Sequence, residues 1–182
     1  FPSVQDAALS QSEKPKTFLE HLETRNRTQF KEVTRFGFIG VMLSGLAESQ
    51  PDSGQSVLPT REQIQNIVLK QYANDFANFK YQALSTDSIQ VYFSANDSIG
   101  SRVGFILARV SFQPIIIDVT GIREYLFYQV TVTSGTFHSL GVWQHATSRI
   151  VSRENLFERL TRDLQNLIDD LAIDFFKGKG EM

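Results

Sequence analysis

Residues 125–144 read YLFYQVTVTSGTFHSLGVWQ. Apolar and polar residues alternate on both sides of Ser134-Gly135, which is the pattern of two strands joined by a tight turn. Glycine supplies the positive φ that a two-residue hairpin loop needs. With that pair at the centre, Leu126 stands opposite Trp143, Tyr128 opposite Gly141, Val130 opposite Ser139 and Val132 opposite Phe137. Large residues face small ones across this side, and it reads as the core face. The other side sets Tyr125 against Gln144, Phe127 against Val142, Gln129 against Leu140 and Thr131 against His138. It is apolar at its base and polar near the turn. A solvated sheet face alternates more cleanly, so the base is expected to be covered by N-terminal helices, a ligand or another chain. A one-residue slip would exchange the two sets.

Downstream, Leu156, Phe157, Leu160, Leu164, Leu167, Ile168, Leu171 and Phe175 recur at helical spacing. They predict a helix from Arg153 to Lys177, with Ser152 as its cap and Gly178 as its stop. A helix of about 25 residues spans roughly 37 Å and can cross a whole sheet. It is the natural cover for the core face. Asp163, Asp170 and Asp174 fall near one side of it, a spacing that ordinarily marks a solvated acidic face.

Upstream, residues 102–112 and 114–119 read as strands, as does the alternation of Ile89, Val91 and Phe93. Arg109 and Asp118 sit in neighbouring strand-like segments and suit a cross-strand pair. Pro59-Thr60-Arg61-Glu62-Gln63 is a helix start, Thr60 capping and Gln63 closing the capping box, for a helix running to Phe79. Residues 49–58 form a loop by composition. Spacings of three and four also suggest a helix beginning after Lys16 and extending toward Ser49. Its last part, residues 36–47, is apolar all round and holds Gly37, Gly40 and Gly45, each weakening a helix by about 1 kcal/mol. It is read as a buried helix or strand, with a partner-docking or interfacial helix as the other reading. At about 12 residues it is too short to span a bilayer. Residues 1–14 are polar and aperiodic and are expected to form a mobile arm ahead of a single domain over 15–182.

The composition excludes much chemistry. The 182 residues carry a net charge of −2 and no Cys. There is no basic face for a nucleic acid, and disulfides, thiolate metal sites and Cys nucleophiles are ruled out. His21 falls in a helical stretch, and neither His138 nor His145 has a Cys or carboxylate at metal-ligand spacing. No Gly-x-Ser-x-Gly elbow, dinucleotide fingerprint or phosphate loop occurs. No catalytic residue, metal ligand or cofactor is assigned, and no compartment. The 15 Phe residues call for a thick aromatic core or an exposed apolar surface.

The fold class expected is α+β: an antiparallel sheet of four to five strands, a long C-terminal helix packed on it, and two N-terminal helices. The functional expectation is a non-catalytic interaction or assembly module that uses an exposed apolar surface, with a protein partner or a second copy as occupant. The alternative is a small apolar ligand held in a pocket between sheet and helices. Membrane contact through residues 36–47 is the less favoured reading. The residues singled out are Phe38 and Met42 from the apolar segment, and Tyr125, Phe127, His138 and Val142 from the second hairpin face, with Arg109 as a polar anchor.

Overall fold

The computed structural model describes residues 30–45, 58–77, 79–85, 102–115, 125–137 and 143–181. In chain order they form β1 (Arg35–Gly45), α1 (Arg61–Asp75), β2 (Val103–Ile115), β3 (Tyr125–Thr136), β4 (Trp143–Ser152), a single 3-10 turn (Arg153–Asn155) and α2 (Leu156–Lys179). The four strands make one sheet in sequence order. β1 runs parallel to β2, and the other two pairings are antiparallel. The fold is therefore α+β with a mixed sheet, not a purely antiparallel one.

The parallel pair follows from a segment expected to be helical. Residues 35–45 are a strand. Phe36, Ile39, Val41 and Leu43 turn toward the helices, while Phe38, Met42 and Ser44 turn away. A register irregularity between Phe36 and Phe38 offsets the alternation at the start. A strand with apolar residues on both sides looks like a short apolar run without period 2, which periodicity alone does not distinguish from a buried helix. The three glycines that weakened the helix reading suit this strand. Phe38 lays its ring over Gly40, where a Cβ would collide with it, and Gly45 ends the strand with φ of 80°. One of the two expected N-terminal helices is present among the described residues. Residues 1–29, which hold the start of the other and the expected arm, lie outside them, as do the strand expected around Ile89–Phe93 and the loop over residues 49–57.

Helix α1 starts as expected. Gln63 N–H donates to Thr60 Oγ1 (3.2 Å) and Thr60 N–H donates to Gln63 Oε1 (2.9 Å). It ends at Asp75, four residues before Phe79. β2 is one strand where two were expected, and Pro114 is carried within it opposite Leu126.

Ser134-Gly135 is not a turn. β3 continues to Thr136, and Ser134 Oγ donates to the Phe105 carbonyl at 2.7 Å. Leu126 consequently pairs with Val151 instead of Trp143, eight residues further along the chain. The displacement is even, so each β3 side chain keeps its expected face. Leu126, Tyr128, Val130 and Val132 are all buried beneath the helices.

Helix α2 begins at Leu156, after the 3-10 turn. Ser152 gives no side-chain cap, and the left-handed stop is Gly180 (φ 75°), not Gly178. Its 24 residues span roughly 36 Å. α2 packs on β3 and β4, and α1 packs on β1 and on α2. Both helices thus cover the same side of the sheet. Where they meet, Phe175 lies 5.2 Å from Phe30, 5.3 Å from Phe36, 5.4 Å from Phe76 and 4.8 Å from Phe79, ring centre to ring centre. Much of the phenylalanine excess is this cluster. Lys179 closes it, donating from Nζ to the Val33 carbonyl (2.8 Å) while standing 5.5 Å from the Phe79 ring centre.

Candidate functional site

With both helices on one side, the other side of the sheet is uncovered by any described helix. Strand pairing fixes what it displays. One end carries the row Phe38, Phe105 and Gly135 and the row Gly40, Leu107, Thr133 and Gln144. The middle carries Met42, Arg109, Thr131 and Ala146, then Ser44, Ser111, Gln129 and Ser148. The far end carries Gln113, Phe127 and Ile150, then Ile115, Tyr125 and Ser152. Two apolar ends therefore flank a polar band, and Met42 and Ile150 are 53% and 54% exposed. Among the described residues of these rows, from Phe38 to Ser152, Arg109 is the only charged side chain. No described carboxylate forms an ion pair with it.

Five of the seven residues expected from the sequence lie on this side of the sheet: Phe38 at one end, Met42 and Arg109 in the middle, and Phe127 and Tyr125 at the far end. His138 and Val142 lie outside the described residues, as does Asp118. The pocket expected between sheet and helices is not formed by this set, because Arg109, Tyr125 and Phe127 face away from the helices. The helix side is filled by buried side chains.

A second feature lies where α2 crosses edge strand β4, and it corrects the reading of the acidic stripe. Trp143 Nε1–H donates to Asp174 Oδ2 (3.0 Å). His145 Nδ1 stands 4.0 Å from Asp170 Oδ2, and its ring stacks on Trp143 with centres 4.3 Å apart. Arg149 holds Asp163 through Nε (2.7 Å) and Nη2 (2.9 Å), and Tyr128 O–H donates to the same carboxylate at 2.7 Å. Asp163 is only 3% exposed. Asp163 and Asp174 are thus rungs between helix and strand, while Asp170, near His145, keeps a solvated side chain. Burial pushes the Asp163 carboxyl up, but the hydrogen bonds from Arg149 and Tyr128 outweigh it and hold the group below its ordinary 3.8. Burial raises the Tyr128 hydroxyl above its ordinary 10.0, and the Asp163 carboxylate raises it further. Sequence reasoning missed these pairs. The available signal was the match between polar residues two apart on a strand and acids four and seven apart on a helix.

Between His145 and Arg149 a groove of about 490 Å³ opens, with Asn166 and Leu167 on its helix wall. No cluster of three or more potential metal ligands occurs among the described residues. No described helix is long and apolar enough to cross a membrane.

No family model matches the chain, and no curated protein matches it. Solved structures that resemble it include a hypothetical protein from Chlamydia trachomatis, at 9% identity over 75% of this chain and 98% of that one, with a TM-score of 0.39. Rare lipoprotein B from Shewanella oneidensis aligns at 10% identity over 79% and 94%, with a TM-score of 0.32. A minor lipoprotein from Acinetobacter baumannii aligns at 14% identity over 80% and 94%, with a TM-score of 0.25. Likeness at these scores assigns no activity or ligand to this chain.

Proposed function

We propose that this chain is a non-catalytic binding domain that docks a protein partner on the open face of its sheet. The partner presents apolar side chains to the two ends of the face and a carboxylate to Arg109. The observation that supports this is the distribution of the face itself: two apolar ends, a neutral polar band, and one cation at its centre. Four strands of about ten residues offer a face of roughly 600 Å². A matching surface brings the total to about 1,200 Å², the lower bound of a stable interface. A second copy stacked centre to centre would set Arg109 against Arg109 and bury like charges without partners, which is strongly unfavourable. A partner with an acid at its centre removes that penalty.

The test is site-specific photocrosslinking in native cells from Met42, Ile150 and Phe157, the last being exposed on α2. A discrete adduct should form from Met42 and Ile150 and not from Phe157. Arg109→Glu should abolish it, and an Asp→Lys or Glu→Lys change in the partner should restore it. If Phe38→Asp and Phe127→Asp proteins fold and still give the unaltered adduct, the proposal fails.

A further inference from the structure

The two edges of the sheet are treated differently by the chain. The start of β1 is closed by the chain's own backbone. Phe36 N–H donates to the Lys80 carbonyl, Gln82 N–H to the Phe36 carbonyl and Leu84 N–H to the Gly37 carbonyl, at 3.0, 3.0 and 2.8 Å. Further along β1, Gln65 Nε2 donates to the Ile39 carbonyl at 2.9 Å. β4, the other edge, pairs through its backbone with β3 on its inner side and meets α2 through side chains, and among the described residues no backbone group pairs with its outer edge. A bare edge of this kind is a template for another strand.

The groove lies along that edge. Its strand wall includes the consecutive residues Gln144 to Thr147. Gln144 and Ala146 belong to the open face, while His145 and Thr147 belong to the helix side, so a cavity touching both sets runs beside the strand and not over either face. Its helix wall is α2. An edge strand facing a helix across a groove is the geometry in which an extended peptide adds to a sheet, main-chain bonds supplying affinity and alternate side chains supplying specificity. The charges select the side chain. Arg149 and Asp163 neutralise each other across their two-pronged contact, and Arg159 acts on the same carboxylate. Asp170 faces only His145, at 4.0 Å. No described Lys or Arg forms an ion pair with Asp170, so this end of the groove is acidic.

We infer that β4 accepts an extended polypeptide segment as a fifth strand, with a lysine or arginine of that segment entering the groove toward Asp170 while its methylenes lie on Leu167. This edge adjoins the partner face proposed above and shares Gln144 and Ala146 with it, while Asp170 and Leu167 belong to the groove alone, so a readout at those two tests the edge by itself. The test is an NMR titration of the full chain with the capped peptide Thr-Val-Thr-Lys-Thr-Val-Thr. Saturable shifts are expected on β4 and on 163–170 of α2. The peptide with Glu in place of Lys should bind about tenfold more weakly, since an attraction becomes a repulsion at contact distance. Asp170→Asn should remove most of that difference. Of two peptides N-methylated on alternate residues, one should lose binding and the other keep it. The inference is overturned if β4 is silent up to millimolar peptide, if the Lys and Glu peptides bind equally, or if both methylated peptides bind. It is also overturned if β4 signals respond to protein concentration alone, which would give the edge to a second copy.

Discussion

Replacing Tyr128 by Phe tests how the acidic rungs bind helix to strand. The substitution keeps the ring, so no cavity opens, and deletes one hydroxyl that donates to Asp163 at 2.7 Å. Both residues are buried. A hydrogen bond to a charged group contributes about 1.5–3 kcal/mol. Asp163 keeps both contacts from Arg149 in the variant, so the expected loss is near the middle of that range, about 2 kcal/mol. For a domain of this size that lowers Tm by roughly 4–8 °C. Urea unfolding followed through Trp143, the single tryptophan, measures it directly. The pH dependence carries a sign. The folded carboxyl of Asp163 titrates below its ordinary 3.8, so its stabilisation is fully present above that value and is lost as pH falls through the lower folded value. Protonation turns the charged tie into a neutral one worth about 0.5–1.5 kcal/mol. The gap between wild type and variant should therefore hold steady down to about pH 5 and shrink on further acidification. On the alkaline side, the raised Tyr128 hydroxyl gives a contribution that is whole below pH 10.0 and declines above it. The Phe variant lacks that decline. A loss under about 0.5 kcal/mol, or a gap that widens in acid, would refute the role given to the buried pair.

Phe175→Ala should cost about 3–5 kcal/mol, a large share of the stability of an ordinary domain, because five rings close around that position. Calorimetry would show it, and a loss below about 1.5 kcal/mol would mean the cluster re-packs freely. Two left-handed glycines should separate cleanly. Gly180→Ala has open space around it and should lose only the backbone term of about 1–2 kcal/mol. Gly45→Ala adds a collision with the Phe112 carbonyl oxygen and should lose more. Equal losses in denaturant melts would show that the end of β1 yields.

The parts of this fold that were legible in the sequence are those set by local chemistry. The capping box at Thr60 and Gln63 needs only residues three apart, and the apolar stripe of α2 needs only a period. The faces of β3 were readable for the same reason, since alternation survives any even shift of register. What was not legible depended on partners far along the chain. β1 has apolar residues on both faces because helices cover one and Leu84 and Val103 crowd Gly37 near its start, and no local pattern records that. Ser134-Gly135 has the chemistry of a hairpin turn, yet it sits in a strand where Ser134 has a carbonyl to bond and Gly135 a phenylalanine to face. Asp163 looked solvated because nothing near it in sequence announces Arg149 and Tyr128 as partners. That Arg109, Tyr125 and Phe127 fall on one side of the sheet needed only correct parity, which is why their placement was easier to read than the topology.

The asymmetry of the sheet follows from where its cohesion is placed. The aromatic cluster is concentrated where α1, α2 and β1 meet, and there the chain also closes its own edge with backbone bonds. At β4 the tie to α2 is made by side chains, through Asp163 and Asp174. Side-chain ties hold a strand in place without using its outer N–H and C=O groups. Among the described residues nothing pairs with those groups, so a firmly held edge and an open edge are compatible. Gln144 and Ala146 belong at once to the open face and to the wall of the groove. Whatever binds one surface meets residues of the other. Any coupling between the two must be reciprocal, each occupant changing the other's affinity by the same factor. A strand added at β4 would extend the face proposed for the partner, which would make the coupling favourable for a partner that reaches past β4 and unfavourable for one whose rim occupies the edge.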